Sequence, residues 1–129
     1  MQNQNISHFS IFSDSAKIIL GNNISPEQLV IPLAPTPTTM FGPRAACLLS
    51  PTGPLWVADT GHHRLLGWRN LPTEDNQPAD LIIGQPDFFS EGQNAKNAPG
   101  KSTFSVPTGI CKCGHGLAVA DAWNHRILI

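Results

Sequence analysis

Four blocks of sequence occur twice in the same order, about 63 residues apart, and this duplication restricts the chain to a repeat architecture. Ala16-Lys17-Ile18-Ile19-Leu20-Gly21 returns as Ala79-Asp80-Leu81-Ile82-Ile83-Gly84. Phe41-Gly42-Pro43-Arg44-Ala45-Ala46-Cys47 returns as Phe104-Ser105-Val106-Pro107-Thr108-Gly109-Ile110-Cys111, proline aligned with proline. Leu55-Trp56-Val57-Ala58-Asp59 returns as Leu117-Ala118-Val119-Ala120-Asp121, and His63-Arg64-Leu65-Leu66 as His125-Arg126-Ile127-Leu128. Residues are gained or lost only between blocks. Any one match is weak; four in sequence are not.

The blocks read as strands. Pro and Gly, 12 and 11 of 129 residues, punctuate the apolar runs so often that few windows are long enough for a helix. Leu55–Asp59 and its copy alternate small and large apolar residues and end in a carboxylate. Ser50-Pro51-Thr52-Gly53-Pro54 and the shorter Gly114-His115-Gly116 are turn chemistry between strands. Asp59-Thr60-Gly61-His62-His63-Arg64 and Asp121-Ala122-Trp123-Asn124-His125-Arg126 are second turns. There the Asp is expected to accept backbone N–H groups, and Gly61 or Asn124 to take the left-handed conformation. The expected class is all-β, with strands near 44–49, 55–59, 64–69 and 80–84, and a second set that begins at Thr108.

Val57-Ala58-Asp59-Thr60-Gly61-His62-His63-Arg64 and Val119-Ala120-Asp121-Ala122-Trp123-Asn124-His125-Arg126 resemble the NHL repeat, whose core reads V-A-D-x-x-N-H-R. The second copy matches throughout; the first has His62 in place of Asn. Leu81-Ile82-Ile83-Gly84-Gln85-Pro86-Asp87-Phe88 is similar to the inter-repeat segment of bacterial NHL proteins. The resemblance spans residues 16–129. It implies a β-propeller, commonly of six blades, each a four-stranded antiparallel sheet.

On that reading residues 1–15 are a polar lead, 16–40 an outer, ring-closing strand with its loop, and 41–84 one blade. Residues 85–106 connect it to a second blade, incomplete, at 107–129. The chain then holds about two blade equivalents. Two blades do not close a ring and leave open sheet edges, so two readings stand: part of a larger propeller, or a homotrimer in which 16–21 completes a neighbour's blade.

The candidate chemistry is modest. Cys111-Lys112-Cys113-Gly114-His115 has the donors of a zinc or copper site. But Cys111 repeats Cys47, Cys113 repeats Leu49, and no fourth ligand is near, so both thiols are expected to replace apolar core groups. Asp59, His63 and Arg64, with Asp121, Asn124, His125 and Arg126, are expected to be structural. A catalytic residue is seldom needed once per blade, whereas a turn-fixing Asp and an Arg paired with a carboxylate or carbonyl are. His62, Arg44 and Lys112, which do not repeat, are candidates for a binding surface or ordinary solvated positions. The long loops at 22–40 and 87–103 are the expected seat of specificity.

No nucleophile elbow, P-loop, dinucleotide fingerprint or His-Glu zinc motif occurs. Charged residues are 13% of the chain and the net charge is −1, without like-charge runs, which disfavours nucleic acid and anionic membranes as partners. No apolar stretch has transmembrane length, and the polar residues 1–5 do not open a signal peptide. Three cysteines make no disulfide framework, so a reducing cytoplasm is expected. The functional expectation is a non-catalytic protein-interaction scaffold without cofactor, a small-molecule ligand being possible. The alternatives are a lactonase- or lyase-type propeller enzyme around a central metal, and a homotrimeric ligand-binding propeller.

Overall fold

The computed structural model describes residues 16–21 and 33–129. The polar lead at 1–15 and most of the loop expected over 22–40 lie outside the described residues.

The described chain is mostly β. Strands β1 (Ala45–Leu48), β2 (Leu55–Asp59), β3 (Arg64–Trp68) and β4 (Leu81–Ile83) form one antiparallel sheet in the order β1-β2-β3-β4. Strands β5 (Pro107–Cys113), β6 (Gly116–Asp121) and β7 (Arg126–Leu128) form a second, in the order β5-β6-β7. Each expected strand from 44 onward is present to within about two residues. The β5–β6 hairpin closes on the two-residue loop Gly114-His115, with Gly114 at φ +58, the position where such a loop needs glycine.

Side chains alternate across a strand, so each sheet has two distinct faces. In the first sheet, Val57 and Leu66 point one way, into a cluster with Trp68 and Ala79 that Leu20, Met40, Leu55 and Phe88 pack against. Ala58 and Leu65 point the other way and meet Phe104 and Val119, with Ala45, Trp56, Ile83, Ile110, Leu117 and Leu128 around them. The second cluster therefore joins the two sheets face to face. β3 is buried along its whole length because both of its faces are covered. This explains why Leu65-Leu66 is continuous apolar sequence rather than alternating.

Residues 16–21, expected as the outer strand of a further blade, pair with neither sheet of the described chain; they pack through Leu20 against the Val57–Leu66 face, on the far side from the second sheet. The Ile19 N–H donates to Asp75 Oδ1 at 2.8 Å and its carbonyl accepts from Asn76 N–H at 2.8 Å, which pins the segment to the loop after β3.

The repeat register before the first strand also differs by one residue. Met40, not Phe41, is the counterpart of Phe104: each inserts into its cluster. Phe41 matches Ser105, since their N–H groups are held by Asp59 and Asp121 respectively. Gly42 then matches Val106, and both are left-handed, at φ +59 and φ +56. A β-branched residue rarely accepts that conformation. Val106 does so while its N–H donates to His63 Nδ1 at 3.0 Å, a bond that ties the second sheet to the first.

Candidate functional site: the turn end of the sheets

At one end of both sheets the repeated Asp, Arg and third turn residue form the same polar cluster twice. In the first, Asp59 Oδ1 accepts Phe41 N–H at 2.6 Å, while Oδ2 accepts Arg64 Nε–H at 2.7 Å and faces His62 Nδ1 at 2.8 Å. Arg64 spends its other donors on carbonyls: Phe88 at 2.7 Å, and Thr36 and Thr39 at 2.9 Å each. In the second, Asp121 Oδ1 accepts Ser105 N–H at 2.7 Å, and Oδ2 accepts Arg126 Nε–H at 2.7 Å and Asn124 Nδ2–H at 2.8 Å. Arg126 donates to the carbonyls of Gly100 at 2.7 Å and Thr103 at 3.0 Å.

These geometries place every motif residue. Asp59 and Asp121 accept from backbone, but from the segment that leads into the first strand of each sheet rather than from their own turn. Nor do Gly61 and Asn124 supply the left-handed residue: His63 and His125 do, each at φ +55. Gly61 is glycine for another reason. A Cβ there would strike the Phe41 ring and lie 2.6 Å from the Phe41 carbonyl, which already accepts Gly61 N–H at 2.7 Å. Its counterpart Trp123 keeps the same backbone bond, to Ser105 at 3.0 Å, because Ser105 has no ring to collide with. The two copies have exchanged sizes, Phe41 with Gly61 against Ser105 with Trp123.

His62, a candidate surface group from sequence, is fully buried. Its Nδ1 faces the Asp59 carboxylate and its Nε2 the Leu33 carbonyl at 2.6 Å, so both ring nitrogens meet acceptors and the imidazolium satisfies both. Desolvation opposes that charge, and the arginine beside it does too. The Asp59 hydrogen bond and charge, with the Leu33 carbonyl, together outweigh them and raise the His62 pKa. The neighbouring His63 shifts down, chiefly through burial, with the positive charge of His62 contributing against the attraction of Glu91, Asp59 and Asp121. Its neutral Nδ1 accepts the Val106 N–H. His125, in the same place on the second sheet, is exposed.

A pH prediction follows with a definite sign. A histidine with a raised folded pKa stabilises fully below its unfolded value, 6.5, and loses that contribution as pH rises through the folded value. His62→Asn, which copies Asn124, should abolish this fall in stability on the alkaline side. His63→Asn should act in the reverse sense, removing a component that is present above 6.5 and lost on acidification. Urea unfolding across pH 5–9 would check both; an unchanged profile for His62→Asn contradicts a charged His62.

The cysteine expectation is overturned. Cys111 is exposed and Cys113 only partly buried, because β5 lies at the sheet's edge and the Cys111 face is uncovered. All three cysteines are free thiols. Among the described residues no three His, Cys, Asp or Glu side chains converge on a point that could hold a metal, so no step is derived through one. Arg44 and Lys112 are exposed.

Several residues of this end were not singled out from sequence. Asn94 exchanges two hydrogen bonds with Asn124, at 2.7 and 3.2 Å. Gln85 Nε2 reaches the carbonyls of His62, His63 and Gly92. Thr39 Oγ1 accepts Thr36 N–H at 2.9 Å, as Thr103 Oγ1 accepts Gly100 N–H at 2.7 Å, shaping the carbonyl cradle for each arginine. The cradles had a signal: Pro35, Thr39 and Pro43 recur 64 residues on as Pro99, Thr103 and Pro107.

The same end exposes large aromatics. Phe89 is 69% exposed and Trp123 64%, and Phe41, partly exposed, lies tilted against His62 with ring centroids 5.8 Å apart. Among the described residues no helix is long and apolar enough to cross a membrane. No model of a known protein family matches the chain, and no curated protein matches it.

Proposed function

We propose that the two sheets are successive blades of an NHL-type β-propeller and that the chain is a non-catalytic protein-interaction scaffold. The observation that carries this reading is the duplicated Asp–Arg cluster. In both copies the charged groups are consumed by backbone carbonyls, backbone N–H groups and each other, so they brace the turns rather than face a substrate. Face-to-face stacking of a four-stranded and a three-stranded antiparallel meander fits successive propeller blades, and the V-A-D…H-R motif falls at the same point of each.

Recognition belongs to the turn end, where Phe41, Phe89 and Trp123 are exposed beside Glu91. Aromatic side chains with a polar rim are what protein interfaces concentrate. The three free thiols suit a reducing compartment, the cytoplasm. The enzymatic alternative needs inward-facing donors from several blades, and nothing in the described residues favours it.

The reading is tested by capture from cell extract with chemical cross-linking, comparing the natural protein with a Phe89→Ala/Trp123→Ala variant. Defined protein partners should be retained by the first and lost at least tenfold in the second, with an unchanged melting temperature. Metal-dependent turnover in an esterase and lactonase panel, or capture indifferent to both substitutions, would overturn it.

A further inference from the structure

We propose that His63 is a proton-operated clasp between the two sheets: its neutral ring holds the Val106 N–H and closes the turn end, and protonation opens it. The clasp consists of two bonds that grip consecutive residues where the second sheet begins. Val106 N–H donates to His63 Nδ1 at 3.0 Å, and the Thr60 hydroxyl donates to the Pro107 carbonyl at 2.6 Å. Both gripping residues belong to the turn after β2. Both gripped residues belong to the entry of β5, where the register shifts between Pro107 and Gly109. Away from this end the sheets are held by the apolar cluster of Ala58, Leu65, Phe104 and Val119. Opening is therefore local, a hinge about that cluster.

The two bonds respond differently to protons. A hydroxyl donates to a carbonyl at any pH, whereas Nδ1 accepts only while its lone pair is free, with the ring's one proton on Nε2. A second proton makes Nδ1 a donor facing a donor, and attraction to the Val106 N–H becomes repulsion. Val106 then loses what holds it. It sits at φ +56, a left-handed conformation that a β-branched residue rarely takes, where the first sheet has Gly42 at φ +59. Such strain persists only where the surroundings enforce it. Release of the N–H lets Val106 relax toward an extended backbone and draws the entry of β5 off the first turn.

The surroundings keep the clasp closed at neutral pH. Burial opposes a charge on His63 most strongly, and the neighbouring His62 opposes it too. Glu91 of the loop after β4, Asp59 before the turn and Asp121 of the second sheet attract one, and the balance leaves the pKa below 6.5. Glu91 is half exposed, so water weakens its pull. Adjacent rings are thus set in opposite states: His62 cationic between Asp59 and the Leu33 carbonyl, His63 neutral and bonded to Val106. At the same junction Trp123 N–H bonds the Ser105 carbonyl, one residue before Val106, while Gly61 N–H bonds the Phe41 carbonyl on the first sheet's side. The clasp therefore sets the spacing of Trp123 from Phe41. On the scaffold reading above, acid alters the recognition surface; the clasp itself does not depend on that reading.

NMR of the ¹⁵N-labelled protein between pH 5 and 8 tests this, through the His63 ring nitrogens and hydrogen exchange of the Val106 amide. At pH 8 the ring should carry its proton on Nε2 and none on Nδ1. As it titrates below pH 6.5, Val106 should lose at least tenfold in protection, while the Ser105 amide, held by Asp121, stays protected. His63→Asn keeps a residue that accepts the left-handed position and puts a non-titrating Oδ1 in place of Nδ1. Its Val106 amide should stay protected throughout. His62→Asn removes the neighbouring charge and should move the opening to higher pH. A ring protonated on Nδ1 at pH 8, Val106 protection that ignores the His63 titration, or a pH-dependent loss that survives in His63→Asn would overturn the proposal. The first two are read on the natural protein and need no variant to fold. Failure of partner capture would leave these signals, and so the clasp, untouched.

Discussion

Arg64→Met is expected to destabilise the protein by about 3–5 kcal/mol, a large share of a typical domain's stability. Methionine fills similar volume but leaves Asp59, which is fully buried, with a reduced set of donors. It also strips the carbonyls of Phe88, Thr36 and Thr39 of their shared guanidinium. Those carbonyls belong to segments far apart in sequence, so their release frees the loop after β4 and the approach to β1 together. Arg126→Met is the internal control. Arg126 is 27% exposed and holds two carbonyls rather than three, so water replaces part of what is lost. Its cost should be roughly 1.5–3 kcal/mol, the range for hydrogen bonds to charged groups. Chemical denaturation of the two variants in parallel checks the order; equal costs would mean that Arg64 is no better bound than a partly solvated arginine.

The strands were legible because period-2 alternation and Pro/Gly punctuation are local signals, and the repeat supplied each twice. Alternation of small and large apolar residues in Leu55–Asp59 and its copy marked a strand in each half, and the all-β class followed. Three-dimensional pairing was less visible. Cys111 looked like a core residue because it repeats Cys47 and shares a strand face with Cys113, which repeats Leu49; nothing in the strand itself records that this face is uncovered among the described residues. His62 looked like a surface group because it does not repeat between the two halves. Its burial depends on Asp59 three residues away and on the carbonyl of Leu33, a partner no local pattern names. Likewise, φ > 0 was assigned to Gly61 and Asn124 on residue preference. The turn closes instead on His63 and His125, whose N–H groups bond the carbonyls of Thr60 and Ala122. Preference for the left-handed region yielded to the hydrogen bond that completes the 3₁₀ turn.

The size exchange at this turn bears on whether the two halves are copies of one unit. Gly61→Ala should destabilise by about 1–3 kcal/mol, since the new methyl meets the Phe41 ring and backbone together, and overpacking against backbone does not relax freely. Phe41→Ser alone should cost about 1 kcal/mol, from lost contact with His62 by a ring that is already partly exposed. If the halves are equivalent, Phe41→Ser converts the first turn to the environment of the second. There Ser105 accepts a residue as large as Trp123 at a backbone separation of 3.0 Å rather than 2.7 Å. The measurement that tests this most directly is the double-mutant cycle of Phe41→Ser and Gly61→Ala, read by urea unfolding. The expected result is a favourable coupling of at least about 1 kcal/mol, with Gly61→Ala costing less in the Phe41→Ser background, where only the contact with the residue 41 carbonyl remains. Strictly additive costs would contradict the equivalence of the two turns, and with it the account of the chain as one unit built twice.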